Sequence, residues 1–185
     1  MDVALTLDHN EESIIQACVR REKWAQKIIY EAYYGKMMGV CIRYSKTEEE
    51  ALDILHDGFI KVFRYIGKYK PGTSLFSWIR RIMVNTAIDH YRKMARRRTE
   101  SIEQAYDVEN DQPSAIEKVT EKEILMAVQQ LTPTYRTVFN LYVVEGYSHR
   151  EIADKLDISE STSRSNLVKA RSRLKEMLQH LSPDE

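Results

Sequence analysis

Ser148-His149-Arg150-Glu151-Ile152-Ala153-Asp154-Lys155-Leu156-Asp157-Ile158-Ser159-Glu160-Ser161-Thr162-Ser163-Arg164-Ser165-Asn166-Leu167 reads as two helices folded back on one another. Ser148 and Glu151 form a Ser-x-x-Glu capping box, in which each side chain satisfies the other residue's orphan amide. The helix they open carries Ile152, Ala153 and Leu156 on one face. Asp157-Ile158-Ser159 makes a short turn, and Ser159 or Ser161 starts a second helix with Leu167, Ala170, Leu174, Met177 and Leu178 inward. Ala153, Leu156, Ile158 and Leu167 are the small and branched residues through which such a pair would pack.

The outer face of the second helix presents Ser161, Thr162, Arg164, Ser165 and Lys169, followed one turn on by Arg171 and Arg173. Short hydroxyls permit close approach, and an arginine reaches a guanine edge or a phosphate. Arg171 and Arg173 suit backbone phosphates. A helix pair of this kind lays its second helix in the DNA major groove. The plainer alternative is a bundle element with a basic surface.

Upstream, Thr132-Pro133 restarts the chain, Thr as N-cap and Pro at the first helical position. That helix carries Val138, Leu141 and Tyr142 and ends at Gly146. A preceding helix bears Ile116, Val119, Ile124, Leu125, Val128 and Leu131 as its inward face. Residues 98–115 are polar, acidic and without period, which reads as a flexible linker.

Ahead of the linker, Tyr30, Tyr34, Met37, Cys41 and Tyr44 keep helical spacing, and Thr47 with Glu50 offers a second capping box. The helix it opens carries Leu52, Leu55, Phe59, Phe63 and Ile66. Gly58 inside that helix costs about 1 kcal/mol relative to alanine, so close packing is expected to require it. Lys68 to Ser74 breaks the pattern around Pro71-Gly72, and Ser74 or Thr73 caps a helix running to about Arg97. One face of it, Ile79, Met83 and Ala87, is apolar; the neighbouring stripe is Trp78, Arg81, Asn85, Asp89 and Arg92.

The chain is therefore expected to be all-α. Two small helical domains, 1–97 and 116–185, flank the linker 98–115, and the second is a helix-turn-helix domain. The formal net charge of zero conceals segregation: Ile79 to Arg98 holds seven basic residues against one acid, and Thr99 to Glu123 holds eight acids against two lysines. Lys155 to Lys175 is basic again. Basic blocks draw a protein to phosphates, although alone they are more often solvated faces. Around the first block, Tyr65, Tyr69, Phe76 and Trp78 adjoin Lys68, Lys70, Arg80 and Arg81. Aromatic platforms beside cations hold single strands, since every base offers a face to stack on. Phe76 and Trp78 could equally be core residues.

No run of about 18 apolar residues would cross a membrane. The acidic start, Met1 to Asp8, is unlike a signal peptide, so cytoplasmic residence is expected. Cys18 and Cys41 lack a CxxC, and the five histidines lack metal-ligand spacing. No catalytic set, metal or cofactor is expected.

These segments together resemble an extracytoplasmic-function sigma factor, the smallest class of the sigma-70 family of RNA polymerase subunits. Asp53 to Phe63 is similar to the family's region 2.2, Phe76 to Arg92 to regions 2.3 and 2.4, and Leu131 to Arg136 with Gly146 to Ala153 to region 4. The resemblance implies a non-enzymatic subunit that directs core polymerase to promoters and helps to open them. Asp53, His56, Asp57, Phe59, Ile60 and Phe63 would then dock on the β′ clamp, with the β flap as a further polymerase contact. Lys68, Tyr69, Phe76, Trp78, Arg81, Asn85, Asp89 and Arg92 would meet the single-stranded minus-ten element, the loop from Lys68 to Leu75 capturing a flipped base. Arg150, Ser161, Thr162, Arg164, Ser165, Lys169, Arg171 and Arg173 would read the minus-thirty-five duplex. The linker would run towards the RNA exit channel. An anti-sigma factor is an implied partner, and no membrane insertion is implied. His56 stands where glutamine is usual; Ser161, Ser163 and Asn166 stand where glycine, valine and a basic residue are common.

Overall fold

The computed structural model describes residues 3–100 and 120–179, and all regular structure among them is helical. The chain forms two compact units: Met1–Ile42 with Thr47–Ala87, and Arg43–Lys46 with Ile88–Glu185. The linker expected at 98–115 lies outside the described residues from 101 onward, as do Ile116 and Val119.

In the first unit, α1 (Val3–Val19) packs against α2 (Lys23–Ile42), and α2 against α3 (Glu48–Tyr65). No element was expected before Tyr30, yet Ile14, Ile15, Ala17 and Cys18 of α1 are buried. Cys18 and Cys41 are both buried and not bonded to each other. Burial, helped by Glu22, pushes the Cys18 thiol up to about 11, which suppresses its thiolate chemistry. Thr47 caps α3 by accepting from the Glu50 amide at 3.2 Å. Glu48, Glu49 and Glu50 set negative charge against the positive end of its dipole.

Gly58 has the reason its sequence position suggested. A Cβ there would stand 2.2 Å from Sδ of the buried Met83 on α4 (Leu75–Glu100), so any larger residue would force that side chain to shift. Ile79, Met83, Val84, Ala87 and Ile88 form the buried face of α4.

Between α3 and α4 a single 3-10 turn, Ile66–Lys68, leads into the loop. Lys70-Pro71-Gly72-Thr73 has the form of a type II turn. The Thr73 amide donates to the Lys70 carbonyl at 3.3 Å, and Gly72 takes φ +82°, which that turn demands at its third position. Ser74 then caps α4, accepting from the Ser77 amide at 3.2 Å.

In the second unit, α5 (Glu121–Gln130) packs on α8 (Glu160–Gln179) through Ala127, Val128, Leu131, Ala170 and Leu174. Thr120 and Glu123 form a complete capping box for α5. Ile124, expected inward, is 45% exposed, because it lies in the first turn of α5 ahead of this cluster. The helix expected to run unbroken from Pro133 to Gly146 instead changes hand-hold. After α6 (Pro133–Phe139) it widens into a π-helical turn, Asn140–Val144. There the Glu145 amide donates to the Asn140 carbonyl at 3.0 Å, and the Asn140 side chain donates to the Arg136 carbonyl at 2.9 Å. Among the described residues no helix is long and apolar enough to cross a membrane.

Candidate nucleic-acid interface

The C-terminal helix pair is built as its caps dictate. Ser148 and Glu151 close a full capping box at the start of α7 (His149–Leu156). Asp157 ends α7 in the left-handed region at φ 57°, and the Ile158 amide returns to the Ala153 carbonyl at 3.1 Å. Ser159 caps α8, accepting from the Thr162 amide at 3.0 Å. Ile152, Ala153, Leu156 and Leu167 are buried between the helices.

Ser161, Thr162, Arg164, Ser165, Lys169, Arg171 and Arg173 are all exposed on α8, and Arg150 is exposed on α7. Arg164 is ion-paired with Glu160 one turn back, and Arg173 with Glu176 at 3.2 Å. The arginines are thus held along the helix by acids that a phosphate would displace.

Ser163 is turned inward, where its hydroxyl lies 3.0 Å from Nδ1 of His149. The His149 ring stacks on Tyr142 at 4.5 Å, and the Arg171 guanidinium lies over the same Tyr142 ring, 5.8 Å from its centroid. Burial first, then the charge of Arg164, lowers the His149 pKa. Nothing in the histidine spacing signalled this tie; only the one-turn offset of two helices brings residues 149 and 163 together. Asn166 is also buried, so neither departure from the family pattern at 163 and 166 faces outward.

On α4, Arg81, Asn85 and Asp89 are exposed in one row, flanked by the half-buried Trp78 and Arg92. Within the second unit Arg92 makes a long 3.4 Å contact to the Asp154 carbonyl. Asp89, Arg92, Lys93, Arg96 and Arg97 line a shallow hollow of about 350 Å³. Four cations against one acid give it a net positive lining suited to anionic groups.

The aromatic cluster divides. Phe76 is partly exposed, with Tyr33 at 6.5 Å and Nζ of Lys36 at 5.8 Å from its ring. Lys68 lies over Tyr65 at 5.1 Å. Tyr69, by contrast, is buried, with its ring edge-on to Trp78 at 5.8 Å. On α3, Asp53, His56, Asp57 and Ile60 are exposed. Beneath them Phe59 is buried against Tyr30 at 4.7 Å and Phe63 at 6.0 Å.

Residues 29–98 match the family model for sigma-70 region 2, and residues 121–174 match that for sigma-70, region 4. The RNA polymerase sigma-H factor of Pseudomonas aeruginosa is 26% identical, with 92% of this chain and 95% of that protein covered. The ECF RNA polymerase sigma factor SigM of Mycobacterium tuberculosis is 25% identical, covering 95% and 88%. SigE of Mycolicibacterium smegmatis is 31% identical over 74% of this chain and 54% of its own. Among solved structures, the sigma factor RpoE in complex with the anti-sigma factor NepR from Bartonella quintana shares the fold. Its TM-score is 0.50 at 21% identity, covering 83% of this chain and 96% of that chain.

Proposed function

The chain belongs to the sigma-70 family, in its extracytoplasmic-function class, and we propose how its parts divide that family's work. It is a non-catalytic RNA polymerase sigma factor, which directs core polymerase to specific promoters and assists their opening. Residues 1–97 act as the promoter-opening domain and 116–185 as the duplex-reading domain, joined by 98–115.

On α3, Asp53, His56, Asp57 and Ile60 dock on the β′ clamp, with Phe59 and Phe63 stiffening the helix from below. The exposed acids and the 56% exposed Ile60 above an aromatic stack support this assignment. The β flap contacts the second domain. Lys68, Phe76 and Trp78 hold the displaced minus-ten strand, while Arg81, Asn85, Asp89 and Arg92 line its path. Arg150 and the exposed face of α8 read the minus-thirty-five duplex: Arg164 at a base edge, Arg171 and Arg173 at phosphates.

The observation that carries this reading is the pairing on one chain of an aromatic-and-cation face on α4 with a hydroxyl-and-cation face on α8. The first suits unpaired bases and the second a closed groove. The chain works in the cytoplasm. An anti-sigma factor is a partner, as it is for the Bartonella quintana sigma factor solved in complex with one, and the exposed docking and recognition faces are what it would cover.

Purified protein added to core polymerase is expected to give transcription from a restricted set of promoters. Absence of stimulation on every genomic template would overturn the proposal.

A further inference from the structure

Tyr69 sits in the loop proposed to capture a base, but it is only 5% exposed. A ring so enclosed offers no face for a base to stack on. Its hydroxyl is what faces the rest of the loop. It lies 2.9 Å from Oε1 of Glu11, 58 residues away on α1, and it also donates to the Thr73 carbonyl. The phenol has one hydrogen and both partners are acceptors, so that hydrogen is shared between α1 and the far side of the loop. Burial raises the Tyr69 pKa, as does the neighbouring Glu11; the phenol therefore keeps its proton and remains a donor.

We propose that Glu11 is a positioning residue for promoter opening, which through the Tyr69 hydroxyl latches the strand-capturing loop to α1. The proposal rests on the reading of that loop as the base-capturing element.

Without Glu11 the Tyr69 hydroxyl ties Thr73 to nothing outside the loop, and without the phenol the turn from Lys70 to Thr73 keeps only bonds within itself. These are the Thr73 amide at 3.3 Å and the Thr73 hydroxyl at 2.8 Å, both to the Lys70 carbonyl. Pro71, Gly72, Thr73 and Ser74 are all exposed, so no packing restrains them. The latch supplies the missing anchor from an element already fixed by Ile14, Ile15, Ala17 and Cys18. Gly67 lies just before the loop, and a Cβ there would meet Val19 of α1 at an ordinary 3.7 Å, so α1 backs the loop's entry as well. On the other side, the Tyr69 and Trp78 rings pack T-shaped with centroids 5.8 Å apart. Ordering a loop before its ligand arrives removes an entropy cost from binding.

The test measures holoenzyme affinity for forked promoter DNA with a single-stranded minus-ten element. Tyr69→Phe and Glu11→Ala should each weaken it about three- to tenfold, the range a net protein hydrogen bond spans. The double variant should be no worse than Tyr69→Phe alone, which already removes the bond to Glu11 together with the one to the Thr73 carbonyl. Glu11→Gln, which keeps an acceptor oxygen, should restore most of the affinity. With an abasic site at the captured position, parent and variants should bind alike. Unchanged affinity in the single variants, multiplied losses in the double, or a loss that persists on abasic DNA would each overturn the latch. Trp78→Ala separates the two levels. If it weakens forked-DNA binding while the latch variants do not, only the latch falls; if it too has no effect, the strand-capture reading falls and takes the latch with it. Parent-like affinity for core polymerase shows that each variant is folded.

Discussion

On α8 the side chains proposed to meet DNA stand exposed on a regular helix, whose start is set by the Ser159 cap and whose inner face is packed in the second unit's core. Between Lys68 and Arg92 the arrangement is different: a short turn is held by a buried tyrosine, a half-buried tryptophan and a carboxylate from α1. A duplex groove has a fixed shape, which a preformed helix can match with its surface alone. An unpaired base has no fixed place, so the protein must hold the receptor in position. Duplex reading can be local; strand capture draws on the whole first unit.

Salt should separate the two most strongly. If Lys169, Arg171 and Arg173 each neutralise a phosphate, raising salt from about 50 to 200 mM weakens minus-thirty-five duplex binding roughly fortyfold. Forked DNA that offers only the unpaired minus-ten strand should lose less per phosphate neutralised, since a single strand releases fewer counterions and stacking is not screened. Equal slopes measured by salt titration of the two DNAs would erase the distinction.

Arg164→Ala should cost about 1–3 kcal/mol in minus-thirty-five affinity if the guanidinium is bidentate on a base. Glu160→Gln, which frees that arginine from its ion pair, should strengthen binding modestly. A gel-shift series with single base changes checks both; a loss that is uniform across sequences would demote Arg164 to a phosphate contact.

In the first unit, Gly58→Ala should destabilise by about 1–2 kcal/mol, because overpacking against Met83 outweighs the helix-propensity gain. Thermal melting reads this, and a stabilised protein would mean that Met83 moves aside freely. In the second unit the smallest effect is titration of His149. Its folded pKa is lowered, so the fold favours the neutral ring. That contribution is complete above the unfolded value of about 6.5 and declines as pH falls below it towards the folded value. Subtracting the melting curve of His149→Gln isolates the term; an identical pH dependence in both proteins would remove it.

Much of this was legible in the sequence. The capping box at Ser148, the N-cap at Thr47, the Pro-Gly break and Gly58 each declare themselves through local chemistry. The exposed face of α8 follows from helical spacing alone. What escaped depends on partners far along the chain. Tyr69 looked like a platform because aromatic beside lysine is a common strand-binding pattern, and only the fold puts Glu11 against its hydroxyl. The tie between His149 and Ser163, and the π-helical turn at Asn140, likewise arise from side chains meeting across or within helices at offsets no periodicity encodes. Ile124 kept the spacing of a core residue but lies one turn beyond its partners.

The central claim is the division between opening and duplex reading, and one measurement addresses it directly. Chemical reactivity of unpaired minus-ten bases and protection of the minus-thirty-five duplex can be read in the same holoenzyme–promoter complex. With Trp78→Ala, the account predicts that minus-ten reactivity falls by about tenfold, within the range of one lost base–aromatic stack, while minus-thirty-five protection is retained. Loss of both signals in equal proportion would contradict it.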